Sequence, residues 1–278
     1  MTTITEKAEL LHALHRRGEP LILANAWDVA SARLVEEAGA KAVATTSAGV
    51  AWSLGAADGD RLGVEAAVAL VARVAAAVSV PVTADIENGF AQTPSGVAST
   101  IRAVLAAGAV GVNLEDAVYL ESGVRLRDTA QQAERIAAAR EAAAAAGVNL
   151  FINARIDTYL LAVGGPAEQL DATVARAAAF VAAGASGVFV PGVVDPATIS
   201  ALVSAIDAPL NILAGPSAPP IPELAALGVA RISLGSSIAA AAYALVSRAA
   251  REAFGEGTYT EIGQALGYGQ LNEIIAGD

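Results

Sequence analysis

The feature that most constrains the fold is an eightfold alternation. Short apolar, β-branched runs at residues 21–24, 42–46, 82–84, 110–114, 150–154, 187–190, 210–213 and 231–234 are each followed by an alanine-rich stretch with helical spacing. Strands read as apolar on both faces need cover on both, and a helix after every strand makes neighbouring strands parallel. Eight such units predict an α/β fold closed into a (β/α)8 barrel of the TIM type. The open doubly wound alternative needs a glycine-rich turn after the first strand, where this chain carries Asn25, Ala26, Trp27 and Asp28. An extra helix precedes the first strand, and C-terminal helices follow the last, the final one expected near residues 270–276. Asp28 is expected to cap the helix that follows it.

With 278 residues, 55% of them hydrophobic, the chain suits one barrel domain spanning residues 1–278. A net charge of -11 without clustered lysine speaks against a nucleic-acid partner. The uncharged run at residues 232–247 is too short to span a membrane, and the charges spaced through the first helix leave no signal-peptide core. A cytoplasmic location without a membrane partner is the expectation. The absence of cysteine excludes disulfides, thiolate metal ligands and a thiol nucleophile. The only lysines, Lys7 and Lys41, stand away from the strand ends, which excludes a Schiff-base mechanism. His12 and His15, one turn apart on the leading helix, read as a solvated pair outside the site.

In such a barrel the active site lies at the C-terminal ends of the strands. Ser47, Ala48 and Gly49 follow the second strand; Asp85, Glu87 and Asn88 the third; Glu115 and Asp116 the fourth. Asn153, Arg155 and Asp157 belong to the end of the fifth, Asn211 to the seventh and Ser233 to the eighth. Four acidic groups on adjacent strands repel one another unless a cation neutralises them. With only oxygen ligands available there, Mg2+ or Mn2+ fits better than Zn2+. The planar fork of Arg155 matches a small carboxylate substrate, or alternatively an ion pair with Glu115 or Asp157. Ser47, Ala48 and Gly49 read as a small-residue loop whose N–H groups can cradle carboxylate oxygens.

The segments NAWDVASARLVEEAGAKAVATTSAGVAWSLGAADGD, VPVTADIENGF, AAGAVGVNLEDAV, FINARIDTYL, GASGVFVPGVVDP and LNILAGPSAPPIPELAALGVARISLGS, in that order, resemble the isocitrate lyase and phosphoenolpyruvate (PEP) mutase superfamily. The resemblance implies a tetramer in which the last barrel helix is exchanged between neighbouring subunits. It also implies Mg2+ and a 2-oxo or 2-hydroxy acid, with a carbon–carbon or carbon–phosphorus bond made or broken through an enolate. By matching motif, Asp85 is the closest metal ligand, with Asp58, Glu87 and Glu115 around it, largely through water. Ser47, Ala48, Gly49, Trp27, Arg155 and Asn211 form the substrate-binding set, and Arg155, Glu115 and Asp58 the catalytic one.

Two departures from the family stand out. Glu87 replaces a second aspartate, and the segment after Glu115–Asp116 lacks the family's lid cysteine and histidine, leaving Tyr119, Glu121 and Ser122 as its reactive groups. The expected function is a Mg2+-dependent lyase acting on a small 2-oxo or 2-hydroxy (di)carboxylic acid through a metal-stabilised enolate. The alternatives are a phosphonomutase or phosphonopyruvate-hydrolase type of enzyme, and a carboxylate-binding relative without catalysis.

Overall fold

The alternation of strands and helices closes into a ring. The computed structural model describes residues 2–277; residues 1 and 278, the outer bounds of the expected domain, lie outside the described residues. The strands are β1 (Leu21–Leu23), β2 (Val43–Ala44), β3 (Val82–Asp85), β4 (Gly111–Glu115), β5 (Ala117–Leu120), β6 (Gly123–Leu126), β7 (Phe151–Arg155), β8 (Gly187–Val190), β9 (Leu210–Leu213) and β10 (Arg231–Ser233). Eight of them pair in parallel in the order β1-β10-β9-β8-β7-β4-β3-β2, and a parallel bridge between Ala26 and Thr45 joins the two ends. The remaining two, β5 and β6, form an antiparallel hairpin directly after β4. The segment expected as a short lid is therefore an ordered ribbon turning at Glu121 and Ser122.

The two faces of the strands differ, which corrects the reading of them as apolar on both sides. Val112, Leu114, Ile152, Val188, Val190, Ile212 and Ile232 are fully buried beneath the helices. The alternate positions, Asn113 and Glu115, Asn153 and Arg155, Asn211, Arg231 and Ser233, share the other face by the two-residue period of a strand and line the barrel interior. Those polar groups are tolerated because several bond one another between neighbouring strands, as Asn153 does to Asn113 at 2.9 Å and Asn211 to Ser233 at 3.2 Å.

The leading helix Ile4–Ala13, closed by a Thr3–Glu6 capping box, plugs the lower end of the barrel. Its Leu11 fits against Gly111, where a Cβ would come within 2.7 Å of the leucine side chain. His15 is buried rather than solvated: its ring stacks on Phe151 at 3.7 Å and Nδ1 donates to the Leu11 carbonyl at 2.7 Å. Burial, reinforced by the charge of Arg231, pulls its pKa from 6.5 to about 3.

The folded state thus prefers neutral His15, while the unfolded chain takes up a proton below about pH 6.5. Stability is fully present above that pH and is lost progressively as the pH falls toward 3, by about 2 kcal/mol at pH 5. In urea titrations at pH 7 and pH 5, His15→Phe should lose less stability between the two than the unsubstituted protein does. Equal losses would contradict this assignment.

The helix directly after β10 leaves most of its surface off its own barrel. In the helix Ser237–Gly255 only Ala239 is buried, and Tyr243, Val246 and Phe254 are exposed, the last at 90%. On the outside of β1, Ile22 is 42% exposed at the base of a groove of about 810 Å3, lined by Leu21, Leu34, Val35 and Ile221 among others. The final helix, Tyr268–Ala276, packs on the helix Val29–Glu37. Among the described residues no helix is long and apolar enough to cross a membrane.

Candidate active site

At the C-terminal end of the barrel, Asp85 ends β3 and is held on every side. Its N–H donates to the Thr45 hydroxyl at 2.9 Å, Oδ1 accepts from the Glu87 N–H at 3.1 Å, and Oδ2 accepts from the Asn113 amide at 3.1 Å. Glu87 follows with a left-handed backbone, φ 49°, which turns its buried carboxylate onto the N–H of Asp60. Asp60, itself at φ 62°, also accepts from Asn88 at 3.1 Å, so the loop carrying Asp58 is tied to the end of β3. Two non-glycine residues in this region are costly and persist because the surrounding bonds fix them.

On β4, Glu115 is 2% exposed and its Oε2 meets Arg155 Nη1 at 2.6 Å, while Arg155 Nε meets Asp157 at 2.7 Å. The ion pairs offered as the alternative role of Arg155 are thus both present, and the Phe189 ring lies 6.0 Å from its guanidinium carbon. Burial works against the Arg155 charge, but Glu115 and Asp157 hold its pKa above the ordinary value. Burial pushes Glu115 up to about 8 against the pull of Arg155, with Asp157 and Asp85 adding repulsion. Glu87 is raised to about 7, first by burial and then by the charges of Asp85, Asp58 and Asp60 against the bond from the Asp60 N–H. Asp58 is raised by burial and by Asp85, against the pull of the nearby Gly59 N–H and Ser47 hydroxyl. Asp85 therefore lies close enough to Asp58, Glu87 and Glu115 to oppose the ionisation of each.

Other candidates are placed differently. Asp116 turns away from this group: Oδ2 pairs with Arg176 at 3.0 Å and Oδ1 accepts from the Asp157 N–H at 2.9 Å, a structural role. Asp28 caps the helix Val29–Glu37, as expected. Ser47, Ala48 and Gly49 are the first turn of a helix, Ser47–Ser53, and not a loop; their N–H groups point out of a helix start, where four donors have no helical partner. Gly49 is required by close packing, since a Cβ there would lie 2.7 Å from Thr46 and 2.9 Å from Trp27. Trp27 stands behind this turn and lines the outer groove. Asn211 is buried in the barrel wall, bonded to Ser233, with Oδ1 unpartnered.

The hairpin closes over one side. Tyr119 packs on Gly59, where a Cβ would sit 3.1 Å from its ring, and the nearby Glu115 carboxylate adds to burial in raising its pKa. The sequence reading missed Asp60 and Asn113. The position of Asn113, two residues before Glu115 on one strand, was the available signal for a shared face.

Among the described residues no three acidic or histidine side chains converge tightly enough to enclose a metal ion unaided. Mg2+ does not need such a cage, because it retains several waters and takes one or two carboxylates directly. The donor set fits that pattern: all its ligands are oxygens, and the buried Glu115 Oε1 has no partner among the described residues.

The phosphoenolpyruvate phosphomutase family profile matches residues 11–254. The chain belongs to this family. Through it the protein joins the isocitrate lyase/PEP mutase superfamily. Rv1998c of Mycobacterium tuberculosis H37Rv, itself uncharacterized, is 38% identical over 240 residues, 86% of this chain and 87% of its own. The 2-methylisocitrate lyase of Escherichia coli K12 is 29% identical over 197 residues, 69% of this chain and 64% of its own. A phosphonopyruvate hydrolase solved with oxalate and Mg2+ shares the fold, with a TM-score of 0.84 at 24% identity over 98% of this chain and 95% of that one. This PEP mutase family member thus stands among both lyases and carbon–phosphorus enzymes.

Proposed function

We propose that this protein is a Mg2+-dependent lyase acting on a small 2-oxo or 2-hydroxy carboxylic acid. The observation that carries the reading is the group of mutually repelling carboxylates at neighbouring strand ends, with Glu115 Oε1 buried and unpartnered beside them. Asp85 would hold Mg2+ directly and Asp58, Glu87 and Glu115 through water; Mn2+ would satisfy the same oxygens. The bound ion would supply positive charge against the negative charge that develops on the substrate oxygen.

The protein's own groups divide the remaining work. Arg155 spends Nε and one Nη1 donor on Asp157 and Glu115, leaving Nη2 for a substrate carboxylate. The first-turn N–H groups of Ser47, Ala48 and Gly49 offer a second carboxylate contact. Asp58 is carried on a loop that the hairpin residue Tyr119 covers, so both can exclude water from the site.

The family profile favours a second reading, a phosphonomutase or phosphonopyruvate-hydrolase type of reaction. Incubation with Mg2+ and, separately, oxaloacetate, 2,3-dimethylmalate, 2-methylisocitrate and phosphonopyruvate tests both. Release of pyruvate, oxalate or another carbon–carbon cleavage product supports the lyase. Turnover of phosphonopyruvate alone overturns it in favour of the second reading, and Mg2+-dependent binding without turnover overturns it in favour of a non-catalytic binder.

The same reading includes a tetramer in which the exposed helix Ser237–Gly255 lies on a neighbouring subunit. The apolar groove beside β1 and the unburied Tyr243, Val246 and Phe254 support it, since a monomer would leave both to water. Light scattering at micromolar concentration should return four subunits. A monomer under those conditions would contradict the assembly.

A further inference from the structure

Beneath the carboxylates the barrel interior carries a charge of opposite sign that the functional reading leaves unused. Arg231, the first residue of β10, is 1% exposed. A buried guanidinium is costly unless its donors are paired. Yet among the described residues its one side-chain hydrogen bond runs from Nη2 to Asn113 Oδ1 at 3.1 Å, and Nε and Nη1 have no partner. Burial pulls its pKa down to about 10, opposed by the charge of Asp85, so it remains a cation at neutral pH.

Asn113 sits between this cation and Asp85. In the strand register it lies opposite Asp85 on one side and Asn153 on the other. Its Oδ1 accepts from Arg231 and Asn153, and its Nδ2 donates to Asp85 Oδ2 at 3.1 Å. An amide can be turned over with little change in shape, but arginine has only donors. The atom of Asn113 that meets Arg231 must therefore be the oxygen, which turns the nitrogen toward Asp85. Asn153 cannot impose this, because its own amide can turn as well. With the Asn113 amide reversed, its oxygen would face the Asp85 carboxylate and repel it.

We propose that Arg231 is a positioning residue for the metal site, locking the Asn113 amide so that it holds the Asp85 carboxylate in place. This rests on the reading of Asp85 as the Mg2+ ligand. Outer partners of a metal ligand typically contribute about 10- to 100-fold to metal affinity. Charge alone predicts the opposite sign, because removing a cation from the vicinity of Mg2+ strengthens binding by Coulomb's law.

Mg2+ titration calorimetry on the full chain separates these effects, with thermal unfolding as the check on folding. Arg231→Met should bind Mg2+ at least about tenfold more weakly. Arg231→Lys, which keeps a donor-only group facing Asn113 Oδ1, should recover most of that loss. Asn113→Ala, with the Arg231 charge still present, should weaken binding to a similar degree and decides the matter if Arg231→Met does not fold. Unchanged or tighter binding in Arg231→Met, or in Asn113→Ala where the first variant does not fold, overturns the proposal while leaving Asp85 as the ligand. No Mg2+ binding by the unsubstituted protein overturns both this proposal and the reading on which it rests.

Discussion

Replacing Asp85 with asparagine should abolish Mg2+ binding in calorimetry while leaving the fold intact by circular dichroism. Both Asp85 oxygens accept from N–H donors, Glu87 on one side and Asn113 on the other. An asparagine must set its own NH2 against one of those donors, so it loses a hydrogen bond and the anchoring geometry along with the charge. The loss should exceed the roughly 10- to 100-fold that follows removal of an outer partner. The fold should survive, because removing the Asp85 charge relieves its repulsion of Asp58, Glu87 and Glu115. Retained Mg2+ affinity in Asp85→Asn would remove Asp85 from the metal site.

The second large effect concerns the reaction. This protein should cleave isocitrate and 2-methylisocitrate slower by about 10²- to 10⁴-fold than an enzyme with a positioned general acid. Those cleavages leave a succinate-like carbanion that needs a proton, which, as the sequence resemblance implies, lyases of the family deliver from a lid cysteine. The chain has no cysteine, and the corresponding segment is the β5–β6 hairpin. Its inward group is Tyr119, whose pKa is raised by burial and by the nearby Glu115 carboxylate. Cleavages that release an enolate able to take its proton from water are not subject to this limit. Product release followed with Mg2+ present measures the difference, and turnover of about 1 per second or faster on either substrate would show that Tyr119 or Glu121 has taken over the acid role.

Much of the architecture was legible because it repeats. Eight strand–helix units, several of their helices stopped by a glycine, leave little choice but closure, and the resemblance ran through the strand ends that carry Asp85, Glu115 and Arg155. What escaped was whatever depends on direction rather than spacing. Asp116 and Glu115 are neighbours in sequence, yet consecutive strand residues point to opposite faces, so Asp116 reaches Arg176 instead of the site. His15 looked solvated because helix spacing alone does not show that Phe151 waits at the barrel floor. The first turn beginning at Ser47 read as a loop because its alanine and glycine carry no cap signature, and Thr46 makes no side-chain cap bond. The polar barrel interior was hidden by its apolar neighbours: strands such as β4, β7 and β10 alternate, and the runs are too short for the period to show.

Calorimetric titration of oxalate, with and without Mg2+, tests the central claim most directly. Oxalate presents the two adjacent oxygens of a 2-oxo acid without any bond to cleave, so binding is read apart from turnover. The account predicts saturable binding of oxalate only when Mg2+ is present. Oxalate affinity that is the same without the metal, or no binding under either condition, would contradict it.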